Sequence, residues 1–272
     1  MNYKLLAVDL DGTLLNDQET ISAANLTALK KADKKGVRVI ITTGRSYNSA
    51  QRYIAAVGSA NSTITFNGAV ITKDSAVLKR VTLNNRIIGD LVKLLKDMSY
   101  PPIIYLSDNK KYYETFGRYS EDFLSFSKGF ETELVKVENL ASRAWEDVIR
   151  ISVIAGKHDV TLLHSELKHR FGRDIRTVDT YFPAWNFWLF EILHTQCSKS
   201  QGLQYLCTEY GILQSEVIAI GDNNNDLDMI TWAGLGCAMK NGLDAVIMEA
   251  DYVTESTNNE DGVAEVIERF IL

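Results

Sequence analysis

Two aspartates separated by a single residue, Asp9 and Asp11, follow an apolar run near the start of the chain. In an extended backbone, side chains two positions apart point to the same side, so the two carboxylates would lie close together. Close carboxylates repel each other unless a cation or hydrogen bonds compensate, and otherwise one takes up a proton. Gly12, which follows, lets the backbone turn sharply. The pair predicts cation binding or proton transfer, although a polar turn with local hydrogen bonds also explains it.

A second polar cluster, GDNNND, occupies residues 221–226 after another apolar run. If a helix begins here, Asp222 and Asp226 share one helix face. Carboxylate and amide oxygens suit a hard cation such as Mg²⁺. An EF-hand loop is excluded, because it needs Gly at its sixth position and Glu at its twelfth, where this chain has Leu227 and Ala233. A magnesium site and a polar turn that caps a helix both stay open.

Two further segments could bind an anion. Thr43 and Gly44 follow an apolar run and precede a predicted helix, and a hydroxyl, a glycine amide and a helix N-terminus together attract negative charge. Lys199 opens another predicted helix, where its charge is unfavourable with the helix dipole unless an anionic partner is near. The upstream glycines of a P-loop are absent. Common turn chemistry and an exposed surface lysine are the alternative interpretations.

All four features lie at predicted strand ends or helix starts. Apolar runs predict buried strands at 4–10, 37–43, 62–66 and 217–221, and helical spacing predicts helices at 22–35, 46–57, 199–210 and 262–270. This alternation predicts an α/β fold with a parallel sheet and right-handed crossovers. Because the carboxyl ends of parallel strands meet at one edge, cation-binding and anion-binding residues would be neighbours there. That arrangement suits phosphoryl transfer.

The middle of the chain has a different pattern. Residues 84–188 contain more aromatic residues and more alternation, which predicts an α+β unit inserted into the first sheet. The expected division is a catalytic core of residues 1–83 and 189–272 around this insertion. We interpret the aromatic segment 181–188 as packing rather than substrate contact, and the spacing of the histidines in the insertion does not predict a zinc site.

The amino-acid composition of the chain limits the classes of protein to which it can belong. The chain has 272 residues, 46% of them hydrophobic, and a net charge of −6, which predicts a globular protein and argues against a general nucleic-acid binder. Three cysteines without a CxxC pair favour a reducing, cytoplasmic location. We expect neither a signal peptide nor a transmembrane helix, because two acids occur by residue 11 and no apolar run approaches about 18 residues.

The motifs and their order resemble the haloacid dehalogenase-like (HAD) superfamily of phosphatases, and more narrowly its Cof-type sugar-phosphatase branch. Residues 9–13 match the DxDGT first motif, Thr43 before Gly44 matches the second, Lys199 matches the third, and residues 221–226 match the GDxxND fourth. The long insertion matches the cap domain of this branch. The resemblance implies a Rossmann-like core with an inserted α+β cap and Mg²⁺ as cofactor.

The resemblance also implies residue roles. Asp9 would be the nucleophile that forms an aspartyl-phosphate, and Asp11 would be the general acid and then the general base. The implied metal ligands are Asp9, Asp11 through its backbone carbonyl, Asp222 and Asp226. The implied phosphate contacts are the backbone amides of Leu10, Thr43 and Gly44 and the side chains of Lys199 and Asn225. The implied substrate is a small phosphorylated metabolite such as a sugar phosphate, with neither nucleic acid nor membrane as partner.

Other functions stay open beside this one. A phosphomutase of the same fold would return the phosphoryl group to a sugar instead of to water. A non-catalytic phosphometabolite sensor would not need both a nucleophile and an acid. A phosphoprotein phosphatase would be hindered by a large cap over its site. Dehalogenase chemistry is disfavoured, because it needs no cation and gives no use to Asp11 or Asp222. The sequence predicts neither the exact substrate nor the oligomeric state.

Overall fold

The computed structural model describes residues 3–58, 62–108, 110–115, 133–183 and 186–272. Within these ranges the α-helices are α1 (Ala23–Lys34), α2 (Tyr47–Val57), α3 (Asn85–Asp97), α4 (Lys157–Phe171), α5 (Lys199–Tyr210), α6 (Leu227–Trp232), α7 (Asp244–Glu249) and α8 (Gly262–Phe270). The strands are β1 (Leu5–Val8), β2 (Arg38–Thr42), β3 (Ser62–Thr65), β4 (Val70–Lys73), β5 (Ala76–Arg80), β6 (Ile103–Leu106), β7 (Lys110–Tyr113), β8 (Glu133–Lys136), β9 (Val148–Ala155), β10 (Ile175–Phe182), β11 (Phe187–His194), β12 (Val217–Gly221), β13 (Leu235–Ala238) and β14 (Tyr252–Val253). In the part of the chain that the structure describes, no helix has both the length and the hydrophobicity that a transmembrane span requires.

The first of two compact units comprises residues 1–80 and 198–272. Its eight-stranded sheet has the order β14-β13-β12-β1-β2-β3-β4-β5. The pairs from β14 to β3 are parallel, whereas β4 and β5 are antiparallel additions at one edge. The predicted α/β fold with a parallel sheet is therefore confirmed. Because β1 lies between β12 and β2, the loops that follow these three strands are neighbours.

The elements of this unit form close to where the sequence predicts them. β1 is made of buried apolar residues, whose side chains alternate between the two faces of the sheet. Leu6 and Val8 join a core with α1, α2 and α8, and Leu5 and Ala7 join a core with α5, α6 and α7. Ser22 caps the start of α1, since its hydroxyl accepts a hydrogen bond from the amide of helix residue Asn25 at 3.0 Å.

Residues 81–197 form the second compact unit. Its six-stranded sheet has the order β10-β11-β9-β6-β7-β8, and all of its pairs are antiparallel except β7 with β8. Helices α3 and α4 contribute Leu91 and Leu163 to the buried core of this unit. The expected division after residue 188 falls inside β11, which pairs with β9 and β10. Because Leu83 also packs in this core, the unit both begins earlier and ends later than expected.

Aromatic contacts in the second unit agree with a packing role. The ring centroids of Tyr181 and Trp188 are 5.0 Å apart, and those of Phe182 and Phe187 are 5.7 Å apart. These residues sit on the paired strands β10 and β11, so they form cross-strand pairs. Residues 184 and 185 of the predicted aromatic segment lie outside the described residues.

Candidate active site

Three segments that are distant in sequence meet at the carboxyl edge of the eight-stranded sheet. Asp9 follows β1 directly, and its backbone amide donates to the carbonyl of Ile220 in β12 at 3.1 Å. Asp222 follows β12, and Lys199 is the first residue of α5. Lys199 contacts Asp9, and carboxylate oxygens of Asp9 and Asp222 lie within 4.8 Å of each other. The predicted nucleophile, lysine and metal ligand are therefore brought together.

Lys199 is fully buried, and its ammonium is surrounded by acceptors. Its Nζ donates to Asp9 Oδ1 at 2.6 Å, to Asp226 Oδ1 at 2.5 Å and to the carbonyl of Thr42 at 3.2 Å. Three acceptors match the three N–H donors of a lysine. These contacts explain a lysine at a helix start, because two carboxylates compensate the unfavourable helix dipole.

Asp9, Asp222 and Asp226 form a buried acidic group whose ligand oxygens all lie within 4.8 Å of one another. Asp222 is oriented by the hydroxyl of Thr13, which donates to it at 2.7 Å. The second oxygen of Asp226 accepts the backbone amides of Asp222 and Asn223 at 3.1 and 3.0 Å. These hydrogen bonds fix the carboxylates before any ligand arrives.

A glycine makes room for this acidic group. Gly12 has φ 79°, in the left-handed region that favours glycine. A Cβ atom at this position would lie 2.4 Å from an oxygen of Asp222. The turn after β1 therefore brings its backbone close to the acid that follows β12.

The acidic group carries more negative charge than Lys199 can balance. Burial first, and repulsion from Asp226 second, raise the pKa of Asp9 to about 8, although Lys199 acts in the opposite direction. Burial and the neighbouring acids also raise the pKa of Asp222 well above its ordinary value. Burial alone would lower the pKa of Lys199, but Asp226 and Asp9 raise it overall. A divalent cation among these oxygens would offset the repulsion, and an all-oxygen donor set fits Mg²⁺.

Asp11 has a different partner from Asp9. Its carboxylate accepts from Arg45, at 2.8 Å from Nε to Oδ2 and at 2.5 Å from Nη2 to Oδ1. The expectation of an extended backbone fails here, because β1 ends at Val8 and Leu10 accepts the amide of Thr13 in a turn. Consequently the Asp11 side chain lies outside the acidic group. Arg45 directly follows the Thr43-Gly44 motif in the sequence, but local spacing does not indicate its pairing with Asp11.

The second motif positions a hydroxyl at this edge of the sheet. The backbone amide of Thr43 donates to Ile64 of β3 at 2.8 Å, so it continues the sheet and is not directed at a phosphate as expected. The hydroxyl of Thr43 accepts the backbone amide of Arg45 at 3.1 Å. Gly44 lies beside Asn67. A Cβ atom added to this glycine would be only 3.2 Å from the Asn67 side chain, so a larger residue would crowd it.

Asn225 is held by a residue to which the sequence assigns no role. Its Nδ2 donates to Asn67 Oδ1 at 3.1 Å, which leaves its second N–H for another acceptor. Asn67 is buried and has φ 52°, a left-handed conformation that asparagine tolerates better than most residues. Asn-Gly after β3 could be recognised from sequence as a turn, but not as the partner of Asn225.

The sequence pattern of the haloacid dehalogenase-like hydrolase family matches residues 6–267. The chain belongs to this family. A 5-amino-6-(5-phospho-D-ribitylamino)uracil phosphatase of Bacillus subtilis is 32% identical over 98% of this chain and 97% of that protein. A second phosphatase of the same name from Bacillus subtilis is 30% identical over 100% of this chain and 97% of that protein. The solved structure of a haloacid dehalogenase-like hydrolase from Bacillus subtilis has a TM-score of 0.84 at 27% identity, covering 98% of this chain and 100% of that one.

These similarities extend over nearly the whole chain of this HAD family member. They confirm the predicted superfamily, its Cof-type phosphatase branch and the α/β fold class. The curated relatives above are named phosphatases, and the prediction of a phosphoric monoester hydrolase is confirmed with them.

Proposed function

We propose that this HAD family member is a Mg²⁺-dependent phosphatase that hydrolyses small phosphorylated metabolites through an aspartyl-phosphate. The observation that carries the proposal is Asp9, a buried carboxylate held by Lys199 and grouped with Asp222 and Asp226. A carboxylate at a sheet edge beside fixed cationic and acidic groups is suited to attack phosphorus.

In the first step, a carboxylate oxygen of Asp9 attacks the phosphorus atom. A bond from Asp9 to phosphorus forms, and the bond from phosphorus to the substrate oxygen breaks. Lys199 reduces repulsion between the nucleophile and the incoming phosphate, because its ammonium contacts Asp9 at 2.6 Å. Asp9, Asp222, Asp226 and the backbone carbonyl of Asp11 would hold Mg²⁺, which when bound would supply positive charge against the phosphoryl oxygens.

Asp11 moves the protons of both steps. It gives a proton to the alcohol oxygen as that group leaves, and is then a carboxylate that takes a proton from water. The water oxygen attacks phosphorus, phosphate leaves, and the Asp9 carboxylate is restored. Such proton transfers contribute about 10²- to 10⁴-fold to a rate.

The remaining predicted residues would orient the phosphate. The family pattern assigns the phosphate the backbone amides of Leu10 and Gly44, and Thr43 would contact it through its hydroxyl, because the Thr43 amide donates to Ile64 in the sheet. Asn225 offers the N–H that Asn67 leaves available. Fixed donors of this kind act on the charge that develops in the transition state.

Phosphate release separates this proposal from its alternatives. The test measures free phosphate from a panel of sugar phosphates and 5-amino-6-(5-phospho-D-ribitylamino)uracil, the phosphate ester named for two relatives. We expect release with Mg²⁺ and none with a chelator. A phosphomutase would instead convert a hexose phosphate to its isomer without free phosphate, and a sensor would bind these compounds without turnover.

Asp9→Asn provides the decisive variant. We expect phosphate release to fall by at least about 10³-fold, because the amide is a poor nucleophile. Asp33→Asn is the matched control, since Asp33 is exposed on α1, and it should retain full activity. Near-normal release by Asp9→Asn, in a variant that melts cooperatively, would contradict the aspartyl-phosphate mechanism.

A further inference from the structure

We propose that Arg45 is a positioning residue for Asp11, which holds the proton-transferring carboxylate towards the oxygen of the leaving group. This inference deepens the proposed function and rests on it. Arg45 is a buried cation like Lys199, but it pairs with Asp11, whereas Lys199 pairs with Asp9 and Asp226. The proposal gives this second cation a function.

The contact between the two side chains fixes both oxygens of the carboxylate. Nε of Arg45 donates to Oδ2 of Asp11 at 2.8 Å, and Nη2 donates to Oδ1 at 2.5 Å. A two-point contact of this kind defines the plane of the carboxylate as well as its distance. A single hydrogen bond would leave the carboxylate free to rotate.

Arg45 is itself held more firmly than the residue that it contacts. Its side chain is 3% exposed, whereas that of Asp11 is 36% exposed. Its guanidinium lies 5.3 Å from the ring centroid of Tyr53 and 3.8 Å from a carboxylate oxygen of Glu19. Its backbone amide donates to the hydroxyl of Thr43 at 3.1 Å. A fixed arginine thus restrains a partly exposed carboxylate at the surface of the site.

The pairing is compatible with proton transfer. An ionised carboxylate has about four lone-pair positions, and the two donors of Arg45 occupy two of them. The others remain for the proton that is exchanged with alcohol or water. Because proton transfer needs the donor and acceptor within hydrogen-bond distance, loss of this restraint should slow the steps that depend on Asp11.

The test compares two substrates at one pH. The aryl leaving group of p-nitrophenyl phosphate departs without a proton, whereas the alkyl leaving group of glycerol 3-phosphate needs one. For Arg45→Gln we expect kcat on glycerol 3-phosphate to fall about 10²-fold, with kcat on p-nitrophenyl phosphate within about tenfold of wild type. KM for both should change little, because the arginine acts on Asp11 and not on the phosphate.

Three further variants separate positioning from a structural role. Asp11→Asn should show the same preference for the aryl substrate, and the double variant with Arg45→Gln should lose no more than Asp11→Asn alone. Arg45→Lys keeps the charge without the two-point contact and should lie between wild type and Arg45→Gln. The matched control is Arg170→Gln, because Arg170 is 56% exposed, lies 3.9 Å from Glu166 and contacts neither Glu19 nor Tyr53 in the described residues. It should leave both rates unchanged.

The outcomes distinguish this inference from the function on which it rests. If wild type releases no phosphate from these two compounds or from any member of the metabolite panel above, both proposals fail. If Asp11→Asn favours the aryl substrate but Arg45→Gln slows both substrates equally, the proposed function survives and the positioning role is refuted. A rise in KM for both substrates without a change in kcat would mean that Arg45 binds the phosphate itself. Melting curves of every variant exclude global unfolding as the cause.

Discussion

Replacing Asp9 by Asn should stabilise the core unit in the absence of Mg²⁺ while it removes activity. The carboxylate of Asp9 is buried beside Asp226, and these two causes raise its pKa to about 8. An amide at the same position carries no charge that must be buried, yet its oxygen can still accept from Lys199. The acid that we propose as nucleophile is thus expected to destabilise the fold that holds it.

The size of the effect follows from the pKa of Asp9, which rises from 3.8 to about 8 on folding. A carboxyl group whose pKa is raised in the folded state binds a proton more tightly there. Its contribution to stability is therefore full below pH 3.8 and is lost as the pH rises towards 8. Between pH 5 and pH 7, wild type should lose up to about 2.7 kcal/mol of unfolding free energy relative to Asp9→Asn.

The assay is urea denaturation with chelator at pH 5, 6 and 7, on wild type, Asp9→Asn and the exposed control Asp33→Asn. The difference between wild type and Asp9→Asn should grow with pH, whereas the difference between wild type and Asp33→Asn should not. Mg²⁺ at about 100 times its Kd should return about 2.7 kcal/mol to wild type, and less to the variant. A pH-independent difference between wild type and Asp9→Asn would refute our account of the acidic group.

Three shorter predictions concern other buried charges. Lys199→Met should lower the unfolding free energy by about 3 kcal/mol in urea denaturation, because it leaves two buried carboxylates without their cation; unchanged stability would contradict the pairing. Asp222→Asn should remove most of the Mg²⁺-dependent rise in Tm, which is about 2–4 °C per kcal/mol of binding energy for a domain of this size, as measured by calorimetry; a full rise would exclude Asp222 as a ligand. In the second unit, Arg150→Met removes the guanidinium that pairs with buried Glu191 and should lower the unfolding free energy by about 3–5 kcal/mol in urea denaturation, most of which the double variant Arg150→Met with Glu191→Leu should recover; an equal loss in the double variant would contradict this account.

The sequence predicts the elements of the first unit well, because its apolar runs become strands that are buried in the structure. The run VIAIG predicts β12 at residues 217–221, and the strand is buried on both faces. Helix α5 occupies residues 199–210 as predicted, and the expectation that Lys199 needs an anionic partner points to Asp9 and Asp226. Parallel strands also account for the meeting of these residues, since consecutive carboxyl ends share one edge.

Two predictions were wrong: the boundary of the insertion after residue 188, and the common orientation of the Asp9 and Asp11 side chains. In both cases the local pattern does not identify which strand or side chain the residues contact. The run at 187–194 is as apolar as a core strand, so the sequence alone does not assign it to the six-stranded sheet. Likewise, Asp9 and Asp11 are two residues apart, but a turn at Leu10 sends their side chains to different cations. Hydrophobic periodicity predicts which residues are buried, but it predicts neither the strand that a segment pairs with nor the turn that redirects a side chain.

The different environments of Asp9 and Asp11 bear on the choice between an enzyme and a sensor. A phosphate sensor needs hydrogen-bond donors and positive charge, and three buried carboxylates beside the phosphate would weaken its binding. The acidic group is therefore a cost to stability that recognition alone does not require. A phosphoryl-transfer enzyme uses the same group, since one carboxylate attacks and the others hold a cation. The second acid, more exposed and held by Arg45, is placed to exchange protons. This division of roles between two neighbouring acids favours turnover over simple binding.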